Sequence, residues 1–160
     1  MNLGKKVLSS KEISMRKASV VAGIGLLIMT VISFISFPIF QNFIVSGDAV
    51  ATGNNIMDNQ SLFRIILCSF IIIIILDVLV AWALYVLLKP VNRSLALLMA
   101  LFRVVYAAIF ASTLINLFSI LHLLNSNSYM KAFSFEQLQE QVLIFIKSFN
   151  YGWDIGLAIF

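Results

Sequence analysis

Residues 77–103 read DVLVAWALYVLLKPVNRSLALLMALFR, and this stretch decides the fold. Two apolar segments meet at the short turn Lys89-Pro90-Val91-Asn92-Arg93, and each carries one full charge deep inside it, Asp77 in the first and Arg103 in the second. An ionised side chain at mid-bilayer costs roughly 2.5–3.5 kcal/mol on insertion scales, so two lone charges would cost about twice that. The turn makes the segments antiparallel neighbours. Asp77 then lies roughly 16 Å from Leu88, and Arg103 roughly 12 Å from Leu95, at about 1.5 Å per helical residue. The difference of about 4 Å is within reach of an arginine side chain. The stretch therefore predicts a transmembrane hairpin with a direct Asp77–Arg103 pair, and Ala81, Ala100, Ala107 and Ala111 are small enough to let the two helices approach.

Composition places the hairpin in a membrane domain. The chain is 61% hydrophobic and only 11% charged, with a mean hydropathy of +1.03. Soluble domains are about 45–50% apolar and about 25% charged. Apolar runs cover roughly 20–40, 62–88 and 95–121, each long enough to cross a hydrocarbon core of about 30 Å. In the second run, Phe70 to Leu76 is rich in β-branched residues. Helix still wins there, because a spanning segment must satisfy every backbone group internally. The first run is too long for a signal peptide and reads as an uncleaved anchor. Ala18, Ala22, Gly23 and Gly25 give it a slim packing face.

Residues 134–149 have a different pattern. Ser134 followed by Gln137 matches a capping box, with Phe133 and Leu138 as its hydrophobic staple. Leu138, Val142, Phe145, Ile146 and Phe149 recur at helical spacing, which predicts an amphipathic helix over about 135–149 lying in the membrane interface. A core helix packed on the spans is the alternative. Tyr151 and Trp153 read as interface aromatics. A new apolar run begins at 153–160 and reads as the start of a fourth span, expected to continue beyond Phe160. The expected fold is thus all-α: a basic segment 1–17, then a polytopic transmembrane helix bundle over 18–160. It has three full spans, one interfacial helix and a partial span.

Charge sets the expected orientation. Lys5, Lys6, Lys11, Arg16 and Lys17 precede the first span, and Lys89 and Arg93 lie in the hairpin turn. The 41–61 loop has no basic residue, and 122–152 has Lys131 and Lys147 offset by Glu136 and Glu140. This asymmetry places the N-terminus and the hairpin turn in the cytoplasm of a bacterial inner membrane. The basic flank suits anionic lipid rather than nucleic acid.

Few other residues could carry chemistry. Arg64 and Asn116 have matching depth on the second and third spans, which allows a hydrogen bond or leaves Arg64 to snorkel. His122 ends the third span without a second His, a Cys or an adjacent carboxylate. Trp82, Tyr85 and Tyr106 read as packing or belt residues. Cys68 is the single cysteine and reads as a small buried hydrophobe. No catalytic motif, phosphate-binding glycine loop or metal set is present. The expectation is a non-enzyme with no cofactor, whose partners are the lipid bilayer and either further copies or missing C-terminal helices of the same protein. The alternative is a component of a small-solute or proton-coupled transporter, with Asp77 and Arg103 lining the polar path.

Several segments look like one family in order. LFR at 62–64, DVLVAWALYVLLKPVN at 77–92, LALLMALFRVVYAAI at 95–109, YMKAF at 129–133 and GWDIGLAIF at 152–160 resemble the bacterial integral membrane family known as domain of unknown function 4386. The resemblance implies a multi-helix membrane protein with further spans after the GW segment. It implies no assigned substrate or reaction and carries over no catalytic residue.

Overall fold

The computed structural model describes residues 2–125 and 134–159, with side chains from residue 15 onward. Five helices follow one another: α1 (Asn2–Asn42), α2 (Ala49–Asp58), α3 (Gln60–Leu88), α4 (Arg93–Asn125) and α5 (Phe135–Ile159). Four contain a stretch long and apolar enough to cross a membrane, namely Met15–Asn42, Gln60–Leu88, Arg93–Asn125 and Phe135–Ile159. Their outward faces are greasy, as lipid contact requires: Phe34 is 78% and Leu27 70% exposed.

Local chemistry sets the helix ends. α1 runs without interruption from residue 2 into the span, and Pro38 lies inside it near its far end. Gly47 takes a positive φ of 80° in the turn that follows, a conformation cheap only for glycine. Asp48 then caps α2 by accepting from the Ala51 N–H at 2.8 Å. Pro90 closes α3, and Asn92 opens α4, its Oδ1 accepting from Ser94 N at 3.0 Å and Leu95 N at 3.1 Å. The capping box of α5 is formed in both directions: Ser134 N donates to Gln137 Oε1 at 3.0 Å, and Gln137 N to Ser134 Oγ at 3.3 Å. The staple partner Phe133 and the polar turn 126–128 lie outside the described residues.

The last helix differs from the expectation. The amphipathic segment and the partial span are one continuous helix, Phe135–Ile159. Its buried stripe, Leu138, Val142, Ile146 and Phe149 at three- and four-residue spacing, is met again two turns on at Gly156. That stripe packs along α4 and against α2 instead of facing a lipid surface. Gly152 does not break the helix; it is the point of closest approach, where a Cβ would run into the Thr113 methyl of α4.

The chain packs in the order α1, α3, α4, α5, with α2 resting on α5. At the α2 end the four long helices share an aromatic core. Phe40 of α1 meets Phe149 of α5 at 5.4 Å, Phe37 meets Trp153 at 4.7 Å, and Phe110 meets Trp153 at 4.6 Å between ring centroids. Trp153 is thus part of the core, whereas Tyr151 is 71% exposed. At the opposite end, where the α3–α4 turn lies, small residues replace rings: Ala18 and Ala22 of α1 are buried against Ala83 of α3. A Cβ on Gly25 would come within 2.7 Å of Val80 Cγ2, while Gly23 faces open space. Cys68, expected inside, is exposed on the outer face of α3.

Gly152→Val should therefore pry α5 from α4 and lower stability by about 1–3 kcal/mol, read by denaturant titration of the purified protein. Gly23→Ala, with nothing within 4 Å of its added Cβ, should leave the same midpoint unchanged or raise it.

Candidate functional site

The α3–α4 hairpin brings Asp77 and Arg103 together. Arg103 Nη2 donates to Asp77 Oδ1 at 2.8 Å, with the side chains 10% and 3% exposed. The backbone around them is narrow, because Ala81 and Ala107 are buried at the same seam. Ala111, also expected there, is exposed. A charge-assisted bond of this length is among the stronger single contacts a chain can make in an apolar medium.

The surroundings separate the two sides of the pair. Toward the α2 end, Tyr106, one turn beyond Arg103, is 7% exposed. Its ring packs on Trp153 at 5.9 Å and on Phe110 at 6.3 Å, and α5 presses on it through Gly156, whose added Cβ would lie 3.3 Å from the ring. Toward the turn, Arg103 forms part of the wall of a groove of about 460 Å³ lined by Leu84, Leu95, Leu98, Met99 and Phe102. On the α2 side of the pair the helices are thus filled by rings, and on the turn side Arg103 borders apolar space. The role of Tyr106 was not legible in the sequence, where it reads as one more aromatic. Its position one turn beyond Arg103 was the available signal.

The secondary polar pair does not form. Asn116 is half-buried, and its Nδ2 donates to the Thr113 carbonyl of its own helix at 3.0 Å. Arg64 is exposed. The reason is rotation: thirteen residues from Arg64 to Asp77 turn a helix by about 220°, so a helix that points Asp77 at α4 points Arg64 elsewhere. His122 is exposed at the rim of a cavity of about 390 Å³ between α4 and α5, near Ser119 and Gln141. Among the described residues no three His, Cys, Asp or Glu gather as a metal would need. Trp82 is 56% exposed, and Tyr85 carries the Lys89 ammonium at 5.6 Å from its ring centroid.

A buried polar residue that sequence reading missed is Gln139 of α5. It is fully buried, donates to Asn54 Oδ1 at 3.0 Å and to the Val50 carbonyl at 3.3 Å, and so ties α5 to α2. Gly53 makes room for it, since a Cβ there would sit 2.8 Å from Gln139 Cγ.

Four apolar helices long enough to span, with an ion pair enclosed between two of them, define a multi-pass helical membrane protein. The chain belongs to the family described as domain of unknown function DUF4386, whose model matches residues 21–160. It is also similar to an "Uncharacterized protein" of Archaeoglobus fulgidus, 63% identical over 43 residues, which is 27% of this chain and 26% of that protein. No solved structure matches it.

Arg103→Met would leave the Asp77 carboxylate buried beside no cation. It should destabilise the protein by about 3–5 kcal/mol, and Asp77→Leu with Arg103→Met should recover most of that loss. A double-mutant cycle on unfolding midpoints reads the coupling directly.

Proposed function

We propose that this is a non-enzymatic multi-pass protein of the cytoplasmic membrane in which the Asp77–Arg103 pair is the clasp that holds α3 to α4. In this reading the N-terminus and the α3–α4 turn face the cytoplasm. The support for that orientation is the charge pattern: Arg16 and Lys17 precede the apolar run of α1, and Lys89 and Arg93 bound the turn, as the positive-inside rule requires. The immediate partner is the bilayer itself, and further copies of the chain are the next. The observation that carries the clasp is the closed geometry, a 2.8 Å contact between two nearly buried side chains. Each charge is answered by the other, so neither needs a ligand. The clasp also specifies which helices pair, which apolar packing against lipid does poorly by itself.

A second reading has one observation in its favour. Arg103 borders the groove between α3 and α4, so a cationic centre at mid-membrane stands beside space that a small solute could enter. Under this reading the chain is part of a transporter for a small solute or proton, with Asp77 and Arg103 on its path.

Exchanging the charges separates the two. Asp77→Arg and Arg103→Asp should each lower the amount of protein in the membrane several-fold, through loss of about 3–5 kcal/mol. If the pair is a clasp, the double exchange restores both abundance and any cellular phenotype of a deletion. A double exchange that folds but leaves solute or proton flux into proteoliposomes abolished would favour transport instead.

A further inference from the structure

Exposed side chains on the first three spans are apolar at mid-depth, as lipid requires: Phe34 of α1, Ile72 and Ile75 of α3 and Val105 of α4. α5 differs on one face. At about 100° per residue, Glu136, Glu140, Lys147 and Asp154 fall within about 40° of one another around its axis, and Asn150 and Tyr151 flank them. The four charged residues and Tyr151 are exposed and Asn150 is half-buried; Leu143 is the one apolar side chain on that face between Glu136 and Asp154. The face lies opposite Gly152 and Gly156, which press on α4.

The stripe goes deeper than head groups reach. Gly152 meets Thr113 and Gly156 meets Tyr106, so Asp154 lies level with Phe110, whose ring is 4.6 Å from that of neighbouring Trp153 between centroids. Along α4, Phe110 is roughly 26 Å from Arg93 and roughly 22 Å from Asn125 at about 1.5 Å per residue, the middle of the span. From Glu136 at the α2 end to Asp154 at mid-membrane the polar face extends roughly 27 Å.

Acyl chains do not solvate such a face, because charged side chains inside a membrane turn to protein or to water. That requirement comes from the residues themselves and is the same whatever stands opposite them. A second copy packed on this face in the same orientation would set Lys147 against Lys147 and Asp154 against Asp154, like charges at short range. Water answers all four charges at once. Three carboxylates against one ammonium leave the stripe net negative, and a negative cleft with low-dielectric walls concentrates cations.

We infer that this face of α5 lines a water-filled path from the α2 end to Asp154, and that the path admits small cations in preference to anions. The Asp77–Arg103 bond takes no part in it, since that bond lies in the α3–α4 seam and the stripe lies on the far side of α5. The path and the clasp therefore stand or fall separately.

The test is cysteine accessibility in native membranes, with the full chain and Cys68→Ala as background. Lys147→Cys and Tyr151→Cys each place a thiol on the face. Ile72→Cys places one on the lipid side of α3, near Phe70, which packs on Phe110. Asn59→Cys marks the exposed α2–α3 junction. Each is treated from either side of the membrane with a cationic trimethylammonium-ethyl or an anionic sulfonatoethyl methanethiosulfonate. The thiolate is the reactive form, and apolar surroundings suppress it. Lys147→Cys and Tyr151→Cys should react from the same side as Asn59→Cys, and Ile72→Cys from neither. At Tyr151→Cys the cationic reagent should gain about tenfold over the anionic one, relative to their ratio at Asn59→Cys. Asp154→Asn should remove most of that gain and leave the reaction itself. Immunoblots of the membranes check that each variant is present, and where one of the two face variants is not, the other supplies the test. Face thiols as inert as Ile72→Cys overturn the inference and assign the face to a covering helix. Reaction only from the side opposite Asn59→Cys also overturns it, as does a cation preference that is absent or that Asp154→Asn leaves unchanged.

Discussion

A carboxylate and a guanidinium sunk in hydrocarbon have one inexpensive arrangement, which is contact with each other. Asp77 and Arg103 are close at 2.8 Å, and much of the structure follows from bringing them there. Their helices must be antiparallel and joined tightly, which the turn around Pro90 and the Asn92 cap supply. The seam must be thin, hence Ala81 and Ala107. The register must hold, because a shift of one residue would turn either charge by about 100° toward lipid.

The remaining helices are arranged about that hairpin with two different kinds of surface. At the turn end, α1 approaches α3 through alanine and glycine, so backbones come close and dispersion does the holding. At the α2 end, space between the helices is filled by phenylalanine and tryptophan rings from α1, α3, α4 and α5. The bundle is thus tight and smooth below the ion pair and wide and ring-filled above it. α5 follows α4 downward to Gly156 and Tyr106.

Several of these features were legible from residues alone, for identifiable reasons. Depth along a helix is linear in residue number, so the Asp77–Arg103 contact could be computed from the turn outward. Capping is local in sequence, so Ser134 and Gln137 announced the start of α5, and Asn92 could have been read the same way for α4. Rotation about the helix axis proved harder. Arg64 and Asn116 match in depth but not in azimuth, and Cys68 and Ala111 point outward against expectation. In a span that is apolar all round, hydrophobicity does not mark the buried face, so the usual periodic signal is weak. Gln139 escaped notice for the converse reason: a polar residue next to an apolar stripe reads as solvated until the partner that satisfies it, Asn54, is brought across from α2.

By itself the sequence determined that the chain is a polytopic helical membrane protein and that its second and third spans form a hairpin closed by an ion pair. Those conclusions rest on length, composition and the cost of buried charge, which act through residues near one another along the chain. Only the tertiary structure decided that residues 135–159 form one helix rather than an interfacial segment and a new span. It also decided that Trp153 belongs to the core and that Tyr106 is buried against Trp153 and Gly156. An amphipathic stripe states that one face must be covered without stating by what. Lipid head groups and the flank of α4 satisfy that stripe equally well in one dimension. The choice between them was made by shape, where Gly152 fits against Thr113 and Gly53 makes room for Gln139.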